Sequence, residues 1–222
     1  MNVILMGPPG SGKGTQGNLL SDRLNAKPLS TGDLLREVQK EPSHPLYQQV
    51  QVMQKGELVS DDVVNKVVEQ AIQKPKYEKG VIFDGYPRTI AQAETLDENL
   101  AALGKKVDLV IDLDVSKEVL FYRILGRRVC SGCKKVYHEE QGLTHCMDCG
   151  ELLICRGDDN EETIVQRLDE YRMKTAPLQD YYRSSQAACI TISITDSSLS
   201  AMEVNQIIAE LLKENNLIPE AL

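Results

Sequence analysis

Residues 3–15 read Val-Ile-Leu-Met-Gly-Pro-Pro-Gly-Ser-Gly-Lys-Gly-Thr, and helical spacing of Leu19, Leu20 and Leu24 follows. An apolar run of this kind is expected to be a buried strand, the glycines a turn, and the leucines one face of a helix. Gly7, Gly10, Gly12 and Gly14 let the backbone come close to a polyphosphate with N–H groups turned inward. The helix N-terminus adds partial positive charge and Lys13 reaches the outer phosphates. A purely structural glycine turn is the alternative, but the order of strand, lysine and helix disfavours it. Gly14 stands where Ser or Thr usually follows the lysine, and the hydroxyl comes one residue later at Thr15.

Outward from this stretch, 222 residues with 41% hydrophobic content describe one globular unit with a substantial core. No apolar run approaches the roughly 18 residues of a membrane span. With a strand expected from Asn2, neither a secretory leader nor a membrane partner is expected, and the protein reads as cytoplasmic. Its six cysteines then read as metal ligands or buried apolar residues. A formal charge of −8 argues against general nucleic-acid binding. Strands are expected at 2–6, 81–84, 107–113 and 189–194, with a shorter one near Pro28-Leu29. Helical spacing separates them: Val63 to Ile72, Ile90 to Leu103, Val119 to Leu125, Ile164 to Tyr171 and Val204 to Leu212. Such alternation specifies an α/β fold with a parallel five-stranded sheet flanked by helices. Short helices near 33–41 and 44–55 read as a helical insertion. Residues 128–157 are polar and Cys-containing, Cys189 lies in an apolar strand and reads as core, and Asn215 to Leu222 reads as a loose tail.

Three further segments suit a second phosphate-bearing ligand. In Ser30-Thr31-Gly32-Asp33-Leu34-Leu35-Arg36, Ser30 or Thr31 can cap a helix from which Arg36 projects. In Phe83-Asp84-Gly85-Tyr86-Pro87-Arg88-Thr89, Asp84 ends a buried strand, the turn presents Arg88, and Gln92 follows. Gly56-Glu57-Leu58-Val59 could form a backbone edge along a base. Singly these read as a cap, solvated arginines and a satisfied strand-end carboxylate; together with the phosphate loop they converge. The displaced hydroxyl at Thr15 narrows the class to kinases of small phosphorylated metabolites.

With these motifs, and with Gly-Arg-Arg at 126–128, Val-Tyr-His at 136–138, Asp-Asp-Asn-Glu-Glu-Thr at 158–163 and Thr-Ala-Pro-Leu at 175–178, the chain resembles the adenylate kinase family. The likeness runs through nearly the whole length and is to the long-lid form. It implies reversible phosphoryl transfer from MgATP to AMP giving two ADP, maintaining adenine nucleotide balance. It implies ATP contacts from Gly10, Ser11, Gly12, Lys13, Gly14, Thr15, Arg123, Arg127, Val136, Tyr137 and Leu199. AMP would be held by Thr31, Arg36, Glu57, Leu58, Val59, Gly85, Tyr86, Pro87, Arg88, Gln92, Arg156 and Arg167. Lys13, Arg88, Arg127, Arg156 and Arg167 would act on the transferring group, and Asp33 and Asp84 on the water shell of Mg²⁺. A discontinuous core of 1–29, 61–126 and 158–222, an AMP-binding insertion of 30–60, a lid of 127–157 and a monomeric state also follow from it.

Cys130-x-x-Cys133 and Cys146-x-x-Cys149 form two knuckles suited to a closed tetrahedral structural Zn²⁺ site in a small zinc-ribbon-like lid. A lid held by hydrogen bonds with incidental thiols is the competing reading, and a disulfide the weaker one. Three rival functions remain: a UMP or CMP kinase, a zinc-ribbon nucleic-acid binder, and a regulatory GTPase. Acidic charge with two Phe and no Trp opposes the second, and Gly14 after the lysine opposes the third.

Overall fold

Strand β1 (Val3–Met6) is buried along its whole length, and its side chains alternate between two cores. Ile4 and Met6 join Leu29, Phe83 and Val110 on one face; Val3 and Leu5 join Ile82, Leu109 and Ile111 on the other. A strand that is apolar on both faces must sit inside a sheet covered by helices on both sides. The computed structural model, which describes residues 1–55 and 59–219, has that arrangement. A five-stranded sheet runs β2 (Lys27–Ser30), β3 (Val81–Asp84), β1, β4 (Leu109–Val115), β8 (Ala188–Ile194), with every neighbouring pair parallel. The fold class is therefore the one the sequence specifies. No helix of the described residues is long and apolar enough to cross a membrane.

Among the described residues, five α-helices start where small polar residues satisfy free backbone N–H groups. Ser30, Thr89, Ser116, Asn160 and Ser200 accept from the third helical residue of α2 (Thr31–Lys40), α5 (Ile90–Ala102), α6 (Lys117–Leu125), α7 (Glu161–Glu170) and α9 (Ala201–Glu214). Helices α1 (Lys13–Leu20), α3 (Tyr47–Val50), α4 (Asp61–Ile72) and α8 (Leu178–Arg183) begin without a side-chain cap bond, and in α1 the cap is Gly12 at φ 100°. The expected helix over 44–55 is shorter, α3 (Tyr47–Val50) continuing as a 3-10 turn over Gln51–Lys55. Helix α4 (Asp61–Ile72) carries the expected valines inward. Helix α7 does not extend through Tyr171 as α-helix. It passes into one π turn (Tyr171–Thr175) before α8 (Leu178–Arg183), and the Thr175 hydroxyl at the end of that turn donates to the Arg88 carbonyl at 2.9 Å.

Two expectations are corrected. Cys189 is not core: β8 is an edge strand whose Ile190, Ile192 and Ile194 face inward, so period-two alternation leaves Cys189 exposed. Nor is the segment after α9 all loose. The Leu217 N–H bonds the Leu212 carbonyl, Leu217 packs against the second core and Ile218 is buried in it. Residues 128–157 hold a second, antiparallel sheet of β6 (Val136–His138), β5 (Arg127–Cys130) and β7 (Leu153–Ile154).

Candidate active site

Parallel sheets place ligands beyond the C-terminal strand ends, where neighbouring connections diverge. Here β1 opens into the glycine loop, and Leu5 lies in register with Asp84 of β3 and Ile111 of β4. The Lys13 ammonium folds back across the loop, donating to the carbonyls of Gly7 at 2.6 Å and Pro8 at 2.9 Å. Burial pulls it from 10.5 down to about 8; Asp84 opposes that shift, while Arg88, Arg167 and Arg127 add to it. A Cβ built on Gly14 would lie 3.1 Å from Asp84 Oδ2. A larger residue at 14 would therefore press on that carboxylate, and the hydroxyl stands one residue later at Thr15. Arg123, in the last turn of α6, donates to the Ser11 carbonyl at 3.2 Å and so ties that helix to the loop.

On the other side, Thr31 is buried and its hydroxyl lies 3.1 Å from the Asp84 carbonyl oxygen and 2.9 Å from that of Gly85. Arg36 pairs with Asp33 at 2.7 Å. Burial alone would raise Asp33; the hydrogen bond from Arg36 holds it below the usual carboxylate range. Asp84 is pushed upward by burial, against the pull of Lys13 and Arg88. Arg88 Nε donates to the Gly85 carbonyl at 2.9 Å, and its N–H donates to Gln92 Oε1 at 2.7 Å. Its own basicity is lowered by burial and then by Arg167.

Arg127, at the start of β5, forks onto Asp159, with Nε at 2.7 Å from Oδ2. Arg167 meets Asp158 at 2.8 Å. Arg156 is depressed to about 10, by burial first and then by Arg127 and Arg36. Lys13, Arg36, Arg88, Arg123, Arg127, Arg156 and Arg167 thus gather around Asp33, Asp84, Asp158 and Asp159. Seven half-buried cations against four carboxylates leave this cleft net positive on a chain of net charge −8, an arrangement suited to an anionic ligand of several charges.

A family profile described as adenylate kinase matches residues 5–187. The chain belongs to the adenylate kinase family. An adenylate kinase of Archaeoglobus fulgidus is 46% identical over 187 residues, 82% of this chain and 86% of that protein. One from Syntrophomonas wolfei is 43% identical over 190 residues, 83% of this chain and 87% of the relative. One from Methanothrix thermoacetophila is 39% identical over 217 residues, covering 96% and 97%. As an adenylate kinase it is a nucleoside monophosphate kinase, an ATP:AMP phosphotransferase.

Several residues named for this adenylate kinase from its sequence lie deeper than an open contact surface. Tyr86 is 1% exposed and its hydroxyl donates to Asn65 Oδ1 at 2.7 Å. Pro87 and Val59 are buried. Glu57 and Leu58 lie outside the described residues. Val136 is 43% exposed, whereas Tyr137 is buried with its hydroxyl 3.2 Å from Cys146 Sγ and accepting from the Met147 N–H at 3.1 Å. Leu199 packs on the second core. His138 stacks on Tyr122 with ring centroids 4.4 Å apart and Nε2 3.1 Å from the Tyr122 carbonyl oxygen, which fixes the end of α6 to β6. Asp158 and Asp159 stood inside a quoted motif without a role, and their value as counter-charges shows only once the chain is folded. Asp61 carried no sequence signal beyond its place in a helix's first turn.

The sulfurs of Cys130, Cys133, Cys146 and Cys149 all lie within 4.8 Å of one another. The Cys130–Cys149 and Cys133–Cys146 sulfurs are 3.3 and 3.5 Å apart. Four thiolates about 2.3 Å from a tetrahedral Zn²⁺ sit about 3.8 Å from each other, so the donor set fits with shifts of under about 1 Å. The Tyr137 hydroxyl holds the Cys146 thiol down to about 6, whereas Cys133, against a backbone hydrogen bond at Lys135, is pushed up to about 12 by burial and the other three thiols, so the cluster shares its protons and a metal would displace them. Cys155 is exposed and stands outside this cluster.

Proposed function

We propose that this adenylate kinase transfers the γ-phosphoryl of MgATP reversibly to AMP, giving two ADP and keeping the adenine nucleotides in balance. The cation cluster carries the reading. Two facing anionic nucleotides would supply the negative charge by which four carboxylates fall short of seven basic side chains. Gly10 to Thr15 and Lys13 would hold the ATP phosphates, with Arg123 and Arg127 beside them, Val136 and Tyr137 towards the adenine and the Leu199 backbone along it. Thr31, Arg36, Gly85 to Arg88 and Gln92 would hold AMP, with the backbone at Glu57 to Val59 along its base. Arg156 and Arg167 would also hold AMP and close over the phosphates.

Phosphoryl transfer needs alignment, charge neutralisation and a dry site rather than covalent help. Because the AMP phosphate oxygen is already anionic, no general base is required. Lys13, Arg88, Arg127, Arg156 and Arg167 would surround the equatorial oxygens as charge moves across them. Mg²⁺ arrives with ATP and neutralises phosphate charge; Asp33 and Asp84 would hold waters of its shell. Closure of the insertion at 30–60 and the lid at 127–157 over a core of 1–29, 61–126 and 158–222 would exclude the water that hydrolyses ATP. Zn²⁺ held by Cys130, Cys133, Cys146 and Cys149 would stabilise the lid. All these groups come from one chain, which supports a monomer, and a cluster of reduced thiols suits the cytoplasm.

Incubating the protein with MgATP and AMP, CMP or UMP in turn tests the reading: ADP should form stoichiometrically from AMP, several-fold faster at least than with either pyrimidine. Preference for UMP or CMP would replace it.

Lys13 adds a pH prediction. Its folded pKa of about 8 lies below the ordinary 10.5. Below about 8 the protein therefore carries a costly buried ammonium. Between about 8 and 10.5 the unfolded chain holds the proton and the folded one does not, so this group makes stability rise with pH there. Activity goes the other way. kcat/KM for MgATP should fall above about pH 8 as free enzyme loses the charge, while kcat, measured with phosphate bound, should fall only at higher pH. Coincident limbs in both profiles would count against Lys13 as the titrating group.

A further inference from the structure

Gln92 is 3% exposed at the start of α5, and both ends of its side-chain amide are already engaged. Its Oε1 accepts the Arg88 N–H at 2.7 Å, and its Nε2 donates to Asp61 Oδ1 at 2.7 Å. The other Asp61 oxygen accepts the Thr89 hydroxyl, also at 2.7 Å. A backbone N–H can only donate and an ionised carboxylate can only accept. A flipped Gln92 would set N–H against N–H at Arg88 and oxygen against oxygen at Asp61. The amide therefore has one allowed orientation, with one lone pair and one N–H left for a ligand.

That remaining pair distinguishes purines. Adenine offers an amino donor beside a ring-nitrogen acceptor, which meets an amide as C=O and N–H. Hypoxanthine reverses the edge, with a keto acceptor beside a ring N–H. Reading it would require the flipped amide. We propose that Asp61 is a specificity-determining positioning residue, whose carboxylate, together with the Arg88 N–H, locks Gln92 in the orientation that accepts an amino-purine and rejects a keto-purine monophosphate. The proposal rests on Gln92 as the reader of the AMP base.

Asp61 has an ordinary reading as an acidic residue in the first turn of α4, complementing the helix dipole. Asp62 serves that purpose equally well from an exposed position. Asp61 instead spends both oxygens on another helix's N-terminus, 28 and 31 residues away. Nearby, Tyr86 donates to Asn65 of α4 and lies 3.1 Å from the Gln92 carbonyl oxygen, so the backbone bearing the amide is also held.

The test compares kcat/KM for AMP and IMP, at saturating MgATP, in the native protein and in Asp61→Asn, Asp61→Ala and Gln92→Ala. Asn is isosteric and can turn either its oxygen or its amino group towards Gln92, so the flipped amide is no longer excluded at that end. Asp61→Asn should raise the IMP/AMP ratio about tenfold or more, the scale of one mismatched hydrogen bond, with kcat for AMP near native. Asp61→Ala should move the ratio in the same direction. Equal losses for both acceptors in the two Asp61 variants would mark a purely structural tie and overturn the proposal. If Gln92→Ala changes the ratio while neither Asp61 variant does, the lock fails and Gln92 remains the reader. If Gln92→Ala leaves the ratio unchanged, the reading of Gln92 falls and the lock with it.

Discussion

An Arg88→Ala enzyme is expected to turn over about a thousand-fold more slowly than the native protein, with little change in melting temperature. The rate loss follows from the place of the guanidinium. Arg88 projects from the turn after β3, held by its Nε bond to the Gly85 carbonyl, with Lys13, Asp84 and Arg167 within electrostatic reach. A preorganised cation in a dry site stabilises charge developing on a transferring phosphoryl group by roughly two to five orders of magnitude in rate. The stability argument runs separately. Arg88 is destabilised as a cation by burial and by Arg167, so its removal relieves repulsion while losing one hydrogen bond. In a chain of this length those changes should move the midpoint by no more than about 4 °C, the equivalent of about 1 kcal/mol. Steady-state kinetics beside a thermal scan reads both. A variant within tenfold of native turnover would remove Arg88 from the transferring group.

What the residues disclosed in advance follows the strength of their periodicity. β1, β3 and β4 are apolar runs buried on both faces, and α4, α5 and α9 carry long apolar stripes, so their existence and type could be read directly. The strand at 188–194 was legible, but its one-sidedness was not: Ile190, Ile192 and Ile194 alternate with polar residues, and only the edge position in the sheet exposes Cys189. The three strands of the Cys-bearing segment are two to four residues long, too short for any period to register. In the site, Lys13 and Arg88 stand in motifs whose chemistry is local. The counter-charges Asp158 and Asp159 and the orienting Asp61 act across the fold, on partners 9, 32 and 31 residues away. No spacing rule reaches that far. Gly14 shows the same limit from the other side. Its departure from the usual motif was visible, but the crowding it avoids, the Asp84 carboxylate 3.1 Å from a would-be Cβ, comes from another strand.

Removing the metal is expected to unfold the lid while the sheet and its helices stay intact. The segment has little else to hold it. Its buried cluster is Cys130, Tyr137 and Cys146, with Leu143 and Leu153 packed partly against them, and two of those three buried residues are metal-ligand candidates. Met147, Leu152 and Ile154 face solvent. A segment of about 30 residues cannot bury enough apolar surface to fold on its own account, which is where a structural metal substitutes for a core. Zinc held by thiolates contributes on the order of 10 kcal/mol or more to such folds. Chelation, or Cys146→Ser, should therefore open protease cleavage between residues 131 and 150 and abolish amide-exchange protection in β5 and β6. The five-stranded sheet should keep its protection. Turnover should fall by two orders of magnitude or more, on the scale of losing preorganised charge, because Arg127 opens β5 and Arg156 follows β7: the backbone carrying both is released, and the side-chain fork of Arg127 onto Asp159 alone does not fix it. Arg167 lies in α7, outside the segment, and should keep its pairing with Asp158. A protein isolated with four free thiols, no bound metal, full turnover and a protease-resistant lid would show that hydrogen bonds alone hold these strands.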